Sequence, residues 1–191
     1  MKAVVDLLNA MRDKGVISNY ALFGAIAQMR YTEPLSTLDA EVLVALPVRM
    51  KLDLLKPIYE FCAGRGYLPE GEAIRVGSWP VQFIPAFSPL TEEALERAET
   101  APFEGESVRV VSADYLAVIA LSVGRAKDYT RILGLLESGS VSREQVAQLA
   151  VRHGMADAWT RFEERFLNDW HWQDAGAPGG VAKRTRGAYL G

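Results

Sequence analysis

The sequence predicts an α+β fold, with a small mixed sheet and flanking helices over residues 1–111 and a C-terminal helical bundle over 112–170. Three observations lead there. Candidate strands fall only between about residues 17 and 111, interleaved with helical segments. Two of them, Glu72 to Val76 and Pro80 to Pro85, are joined through Gly77-Ser78, which is hairpin spacing. After Ser112 the apolar residues recur at helical spacing alone.

Each element has a local reason. Val4, Val5, Leu7, Leu8 and Met11 line one face of an opening helix, and Gly15 is its expected stop. Tyr20 to Phe23 reads as a short buried strand ending at Gly24, with a helix from Ala25 to Met29. Pro34 disfavours helix in the residue before it, so Glu33 to Thr37 is a loop. Asp39 to Leu46 is a strand, polar at its start and apolar afterwards, closed by Pro47. Leu52 to Gly64 is an amphipathic helix that kinks or begins at Pro57. After the hairpin, Thr91 is the expected N-cap of a helix with Glu92 and Glu93 in its first turn. Glu106 to Val111 is the last strand. Four helices follow: Asp114 to Val123, Lys127 to Leu136, Ser142 to Arg152, and Asp157 to Leu167. Ser142 and Gln145 have capping-box spacing. Residues 171–191, rich in Gly and Pro, are expected to form a flexible tail.

Composition narrows the class. The chain has 191 residues, 49% hydrophobic and 24% charged, so it can bury a core without metal or disulfide. Its formal charge of −3 excludes a strongly basic nucleic-acid footprint over the whole chain, although not a local basic groove. The lone Cys62 has no partner for an internal disulfide, and with two histidines it builds no structural zinc site. No apolar run approaches a membrane span and no signal peptide is evident, so a soluble, reduced, cytoplasmic protein is expected.

Chemistry concentrates around Asp39 and Glu41. Alternate residues of a strand share a face, so both carboxylates point one way and Ala40 the other. Two carboxylates roughly 4 to 5 Å apart repel by about 3 to 4 kcal/mol at an effective dielectric near 20. They need a cation, a shared proton or full solvation. Separated from Asp39 by thirteen intervening residues, Phe23-Gly24-Ala25 ends one strand and opens a helix, a turn whose backbone N–H groups can approach phosphate. Carboxylates on the adjacent strand would then hold Mg²⁺ against the same phosphates.

These segments resemble the nucleotidyltransferase superfamily of the polymerase-β type. Its signature is a hydrophobic residue, Gly, then Gly or Ser, and after about a dozen residues D-x-[DE] followed by an apolar residue. Within it, the AbiEii-like bacterial enzymes are most similar. Their EPxxTxDxD-like segment corresponds to Glu33 through Glu41. Their V-Q-F-hydrophobic-P and P-L-x-E-E-A segments correspond to Val81 to Pro85 and Pro89 to Ala94, and R-x-K-D to Arg125, Lys127 and Asp128. The likeness spans about residues 20 to 137.

The resemblance implies the nucleotidyltransferase fold and transfer of a nucleoside monophosphate from an NTP to a hydroxyl on tRNA, a protein or a small molecule. It places the metal on Asp39 and Glu41. Gly24, Ala25, Thr37 and Arg125 would bind nucleotide, Lys127 would meet the phosphates, and Asp128 would orient Lys127 or act as a base. A toxin–antitoxin or phage-defence setting, with a cognate antitoxin, is a further implication, and no membrane partner is expected. Two departures matter. Ala25 lacks a hydroxyl, and Gln82 stands where the superfamily's third carboxylate lies. The alternative is therefore a catalytically silent protein of this fold that binds a nucleotide or a partner.

Other residues have plainer readings. Arg30 and Arg49 could line a cleft, but exposed arginines are usually solvated. His153 and His171 suit surface or capping roles. Cys62 reads as a small buried hydrophobe. Trp159, Phe162, Phe166 and Trp170 form a core or partner stripe, and Lys183, Arg184 and Arg186 solubilise the tail. Arg125 and Asp128 have a structural reading too, as an ion pair at a helix start.

Overall fold

The computed structural model describes residues 1–33, 37, 39–47 and 54–168. Helix α1 (Lys2–Asp13) buries Val4, Val5, Leu7, Leu8 and Met11, the face that its periodicity predicts. Strand β1 (Asn19–Leu22) leads into the five-residue helix α2 (Gly24–Gln28), and β2 follows at Ala40–Ala45. Helix α3 is Lys56–Ala63, so Pro57 sits in its first turn, where no backbone donor is needed. Strands β3 (Pro69–Glu70), β4 (Ala73–Val76) and β5 (Trp79–Pro85) come next, with β4 and β5 forming the expected hairpin.

Helix α4 spans Pro89–Glu96 and corrects one expectation: its N-cap is Ser88, and Thr91 stands at the third helical position. The Thr91 backbone N–H donates to Ser88 Oγ at 3.2 Å, and the Ser88 N–H donates to Thr91 Oγ1 at 3.0 Å. Pro89, with no N–H to satisfy, fits the first helical position and moves the start upstream.

Strands β6 (Glu99–Phe103) and β7 (Glu106–Val110) form a second hairpin. Its two-residue turn, Glu104-Gly105, has φ of 47° and 82°, a left-handed pair whose twist matches paired strands. Strand β6 is not evident in the sequence. It is an edge strand, where Pro102 is tolerated because one side needs no ladder. The two-residue β3, likewise unexpected, is the opposite edge.

Four helices close the described chain: α5 (Ala113–Val123), α6 (Ala126–Glu137), α7 (Arg143–Arg152) and α8 (Ala156–Phe166). The Ser142/Gln145 capping box of α7 forms as expected. Helix α5 is buried from Tyr115 through Leu121 and packs against α2, α4, α6, α7 and α8. One continuous hydrophobic core thus joins the sheet to the helices behind it.

The seven strands run in the order β3-β4-β5-β2-β1-β7-β6. Pairing is mixed: β2 is parallel to β5 and β1 to β7, and the other neighbours are antiparallel. The predicted α+β class holds, with two more strands than the sequence shows. Arg109 of β7 fastens this sheet to α4. Its guanidinium donates to the carbonyls of Leu95 (2.8 Å) and Glu96 (3.3 Å), at the negative end of that helix, and to Asn19 Oδ1 (3.2 Å). No helix among the described residues is long and apolar enough to cross a membrane. Arg49, Trp170 and the predicted tail, with His171, Lys183, Arg184 and Arg186, lie outside the described residues.

Candidate functional site

The start of β2 brings the candidate residues together. Ala40 is fully buried, which leaves Asp39 and Glu41, both half-buried, flanking it. The Thr37 hydroxyl donates to the Asp39 carbonyl at 3.0 Å and lies 3.5 Å from its Oδ1. Thr37 therefore steadies the first carboxylate.

Glu41 is fixed against the glycine turn. Its carbonyl accepts from Phe23 N–H at 2.9 Å, extending the β1–β2 ladder by one residue. Its Oε2 accepts from Ala25 N–H at 3.3 Å. Gly24 makes this approach possible. Its φ is +60°, and a Cβ built there would lie 1.5 Å from Glu41 Oε2. Glycine is thus demanded twice, by backbone conformation and by a carboxylate where a side chain would be.

Gly24→Ala is expected to push the Glu41 carboxylate off the Ala25 amide and to strain the backbone by about 1–2 kcal/mol. At about 2–4 °C per kcal/mol, Tm should fall by roughly 2–8 °C in a thermal melt. An unchanged Tm would show that the turn relaxes freely.

On the neighbouring strand, Gln82 is the register partner of Glu41, so the two share a face of the parallel β2–β5 pair. Gln82 Nε2 donates to the exposed Glu72 at 3.4 Å. Among the described residues, no group of three or more His, Cys, Asp or Glu is disposed to hold a metal. The available set is two carboxylates and a hydroxyl, all hard oxygen donors. That is enough for Mg²⁺, which commonly takes one or two carboxylates and completes its shell with water and phosphate.

The first turn of α6 supplies positive charge. Asp128 is buried, at 1% exposure, and its Oδ2 accepts from Arg125 Nε at 2.8 Å and Arg125 N–H at 3.2 Å. This is the helix-start ion pair and it also closes the turn. Burial pulls the Asp128 pKa upward, but the Arg125 hydrogen bonds and the charges of Arg125 and Arg131 outweigh it and hold the carboxyl below its ordinary value. Asp128 is raising the Arg125 pKa in return, and the Glu41 carboxylate adds to that effect. Arg125 therefore stands within electrostatic reach of the Glu41 carboxylate. Lys127 is exposed on the same turn.

Three residues were not singled out by the sequence. Arg131 Nη1 lies 3.6 Å from Asp128 Oδ1, and Arg131 Nε donates to Gln28 Oε1 at 3.2 Å. Its spacing of three from Asp128 on a helix is a readable signal. Gln28, in a short apolar helix, and Glu72, in a turn, carry none.

The remaining candidates fall elsewhere. Arg30 pairs with Glu99 at 3.0 Å, and His153 pairs with Glu93 at 2.8 Å, a tie between α7 and α4. Cys62 is buried, which pushes its thiol up to about 12. Trp159 and Phe162 are core residues, with Phe166 tilted against Phe162.

No protein-family model matches the chain, and no curated protein matches it. Among solved structures, the chain is similar to a solution structure of the antibiotic-resistance factor ANT(2'')-Ia (TM-score 0.49, 12% identity, 86% of this chain and 97% of that one). A crystal structure of ANT(2'')-Ia in complex with adenylyl-2''-tobramycin gives a TM-score of 0.47 at 15% identity, covering 85% and 97%. An antigenic nucleotidyltransferase-like protein from Paracoccidioides brasiliensis gives 0.48 at 14%, covering 83% and 91%.

Proposed function

We propose that the chain is a Mg²⁺-dependent nucleotidyltransferase of the AbiEii-like kind, moving a nucleoside monophosphate from an NTP to a hydroxyl. The observation that carries this reading is the Glu41 carboxylate seated against Gly24 and Ala25, in register with Gln82 and within electrostatic reach of Arg125. One end of the sheet thus gathers oxygen donors for a cation and a cation for phosphates.

Each residue then has a part. Asp39 and Glu41 would hold Mg²⁺, which when bound would neutralise phosphate charge and polarise the phosphoryl oxygens. Thr37 orients Asp39. Gly24 keeps space for Glu41, and the Ala25 amide is a donor that Glu41 occupies in this arrangement. Arg125 and Lys127 offset charge on the phosphates, worth most where water is excluded. Asp128, buried and doubly paired, fits a positioning role better than that of a base, because a carboxylate held below its ordinary pKa accepts protons weakly. The acceptor would be tRNA, a protein or a small molecule, and a toxin–antitoxin setting with a cognate antitoxin would follow from the AbiEii-like reading.

A second reading has its own observation. Gln82 faces the same way as Glu41 and cannot act as a base, which favours a silent module that binds nucleotide without transfer. The two separate when the protein is incubated with each labelled NTP, Mg²⁺ and bulk tRNA or cell extract. Label transferred to a macromolecule supports the enzyme; nucleotide bound without transfer supports the module. No binding of any NTP removes both.

A further inference from the structure

The described residues bury only two polar or charged side chains of the Asn, Gln, Asp, Glu, Lys, Arg type, Gln28 at 5% and Asp128 at 1% exposure. They lie on different elements, far apart in sequence, and one side chain joins them. Arg131, 12% exposed, donates through Nε to Gln28 and sets Nη1 beside Asp128. From Asp128 the line continues to Arg125, which is exposed and feels Glu41. A seam between α2 and α6 could have been filled with apolar side chains at lower cost in desolvation. A satisfied polar network there fixes geometry instead, since each member has one arrangement that leaves no charge unpaired.

The geometry also says what is fixed. Gln28 ends the helix that begins at Gly24, the residue against which Glu41 rests. Arg125 immediately precedes α6. The relay therefore ties the glycine turn at one end to the exposed guanidinium at the other. Arg125 gives Nε and Nη2 to Asp128, so Nη1 is left to meet an anion.

We infer that Gln28 and Arg131 are positioning residues for the nucleotide: through Asp128 they hold Arg125 at a fixed place relative to Gly24 and Glu41. The inference rests on the nucleotide-binding reading above and extends it to two residues that touch no ligand. Arg131 is too enclosed to reach one, and Gln28 more so.

The test measures binding of the four non-hydrolysable α,β-methylene NTPs with Mg²⁺ by calorimetry, on full-length protein shown by circular dichroism to be folded at the assay temperature. Arg131→Met is expected to weaken nucleotide binding about tenfold, since the Arg125 guanidinium loses its brace. Gln28→Leu should weaken it similarly, and Gln28→Glu, whose carboxylate accepts the same hydrogen bond, should recover most of the loss. The double variant Gln28→Leu/Arg131→Met should bind no worse than the poorer single, because both break one line. Should Arg131→Met fail to fold, Arg131→Lys replaces it, with a threefold to tenfold loss expected from the missing second donor. Wild-type affinity in a folded Arg131 variant, or losses that multiply in the double, would overturn the relay while leaving nucleotide binding intact. If the wild type itself binds none of the four, the relay falls together with the reading beneath it.

Discussion

Asp39→Ala is expected to lower the proposed nucleotidyl transfer by about 10³-fold or more, equivalent to roughly 4 kcal/mol of transition-state stabilisation. The reason is arithmetic of ligands. With Gln82 in register beside Glu41, Asp39 and Glu41 are the two carboxylates that flank Ala40, so among the described residues losing one removes half the anionic donors of the candidate site. A site with three acids would tolerate the loss better. Stability should move the other way. Asp39 stands before β2 and shares its face with Glu41, so its removal relieves like-charge repulsion, and Tm should stay within about 2 °C or rise. Activity from a labelled-NTP assay and a melt on the same sample decide the matter. Loss of both together would mean that Asp39 is structural, and retained activity would mean that the cation is held elsewhere.

The largest stability effect should come from Leu116→Ala. Leu116 is fully buried in α5, the helix against which α2, α4, α6, α7 and α8 all pack. With neighbours on every side, the cavity left behind cannot collapse by moving one of them. A cost of about 3–5 kcal/mol is expected, at the upper end for such truncations. Tm should drop by roughly 6–20 °C. Leu116→Met, which keeps the volume, should cost less than about 1.5 kcal/mol. Equal losses in the two variants would show that shape, not filled volume, is what α5 contributes.

What could be read beforehand follows from locality. The buried face of α1, the β4–β5 hairpin and the α7 capping box depend on residues within a few positions of one another, and all are legible. The convergence of Gly24 with Glu41 was suggested by motif spacing, which encodes a strand–turn–helix and its neighbouring strand. Strand β6 is not legible in the sequence because an edge strand is stabilised by its partner β7 and not by its own apolar pattern. Gln28 and Arg131 are illegible for a related reason. Their pairing is set by how α2 and α6 cross, and neither residue type signals burial on its own. Thr91 mimics the N-cap in the sequence because it forms one capping box with Ser88, and Pro89 at the first helical position sets the start at Ser88.

The sheet order has a kinetic consequence. Its two ends are hairpins, β3-β4-β5 and β6-β7, which close short loops and can form early. Its middle is joined by parallel ladders that bring Glu41 to Gln82 and Leu22 to Val110, across long stretches of chain. Loop-closure entropy must be overcome before those ladders gain anything, so they are the slow step of assembly. The carboxylates and the glycine turn sit on that middle seam. A chain that has not finished folding therefore carries two ready-made ends, and the residues of the candidate site come together only with the last strands to meet.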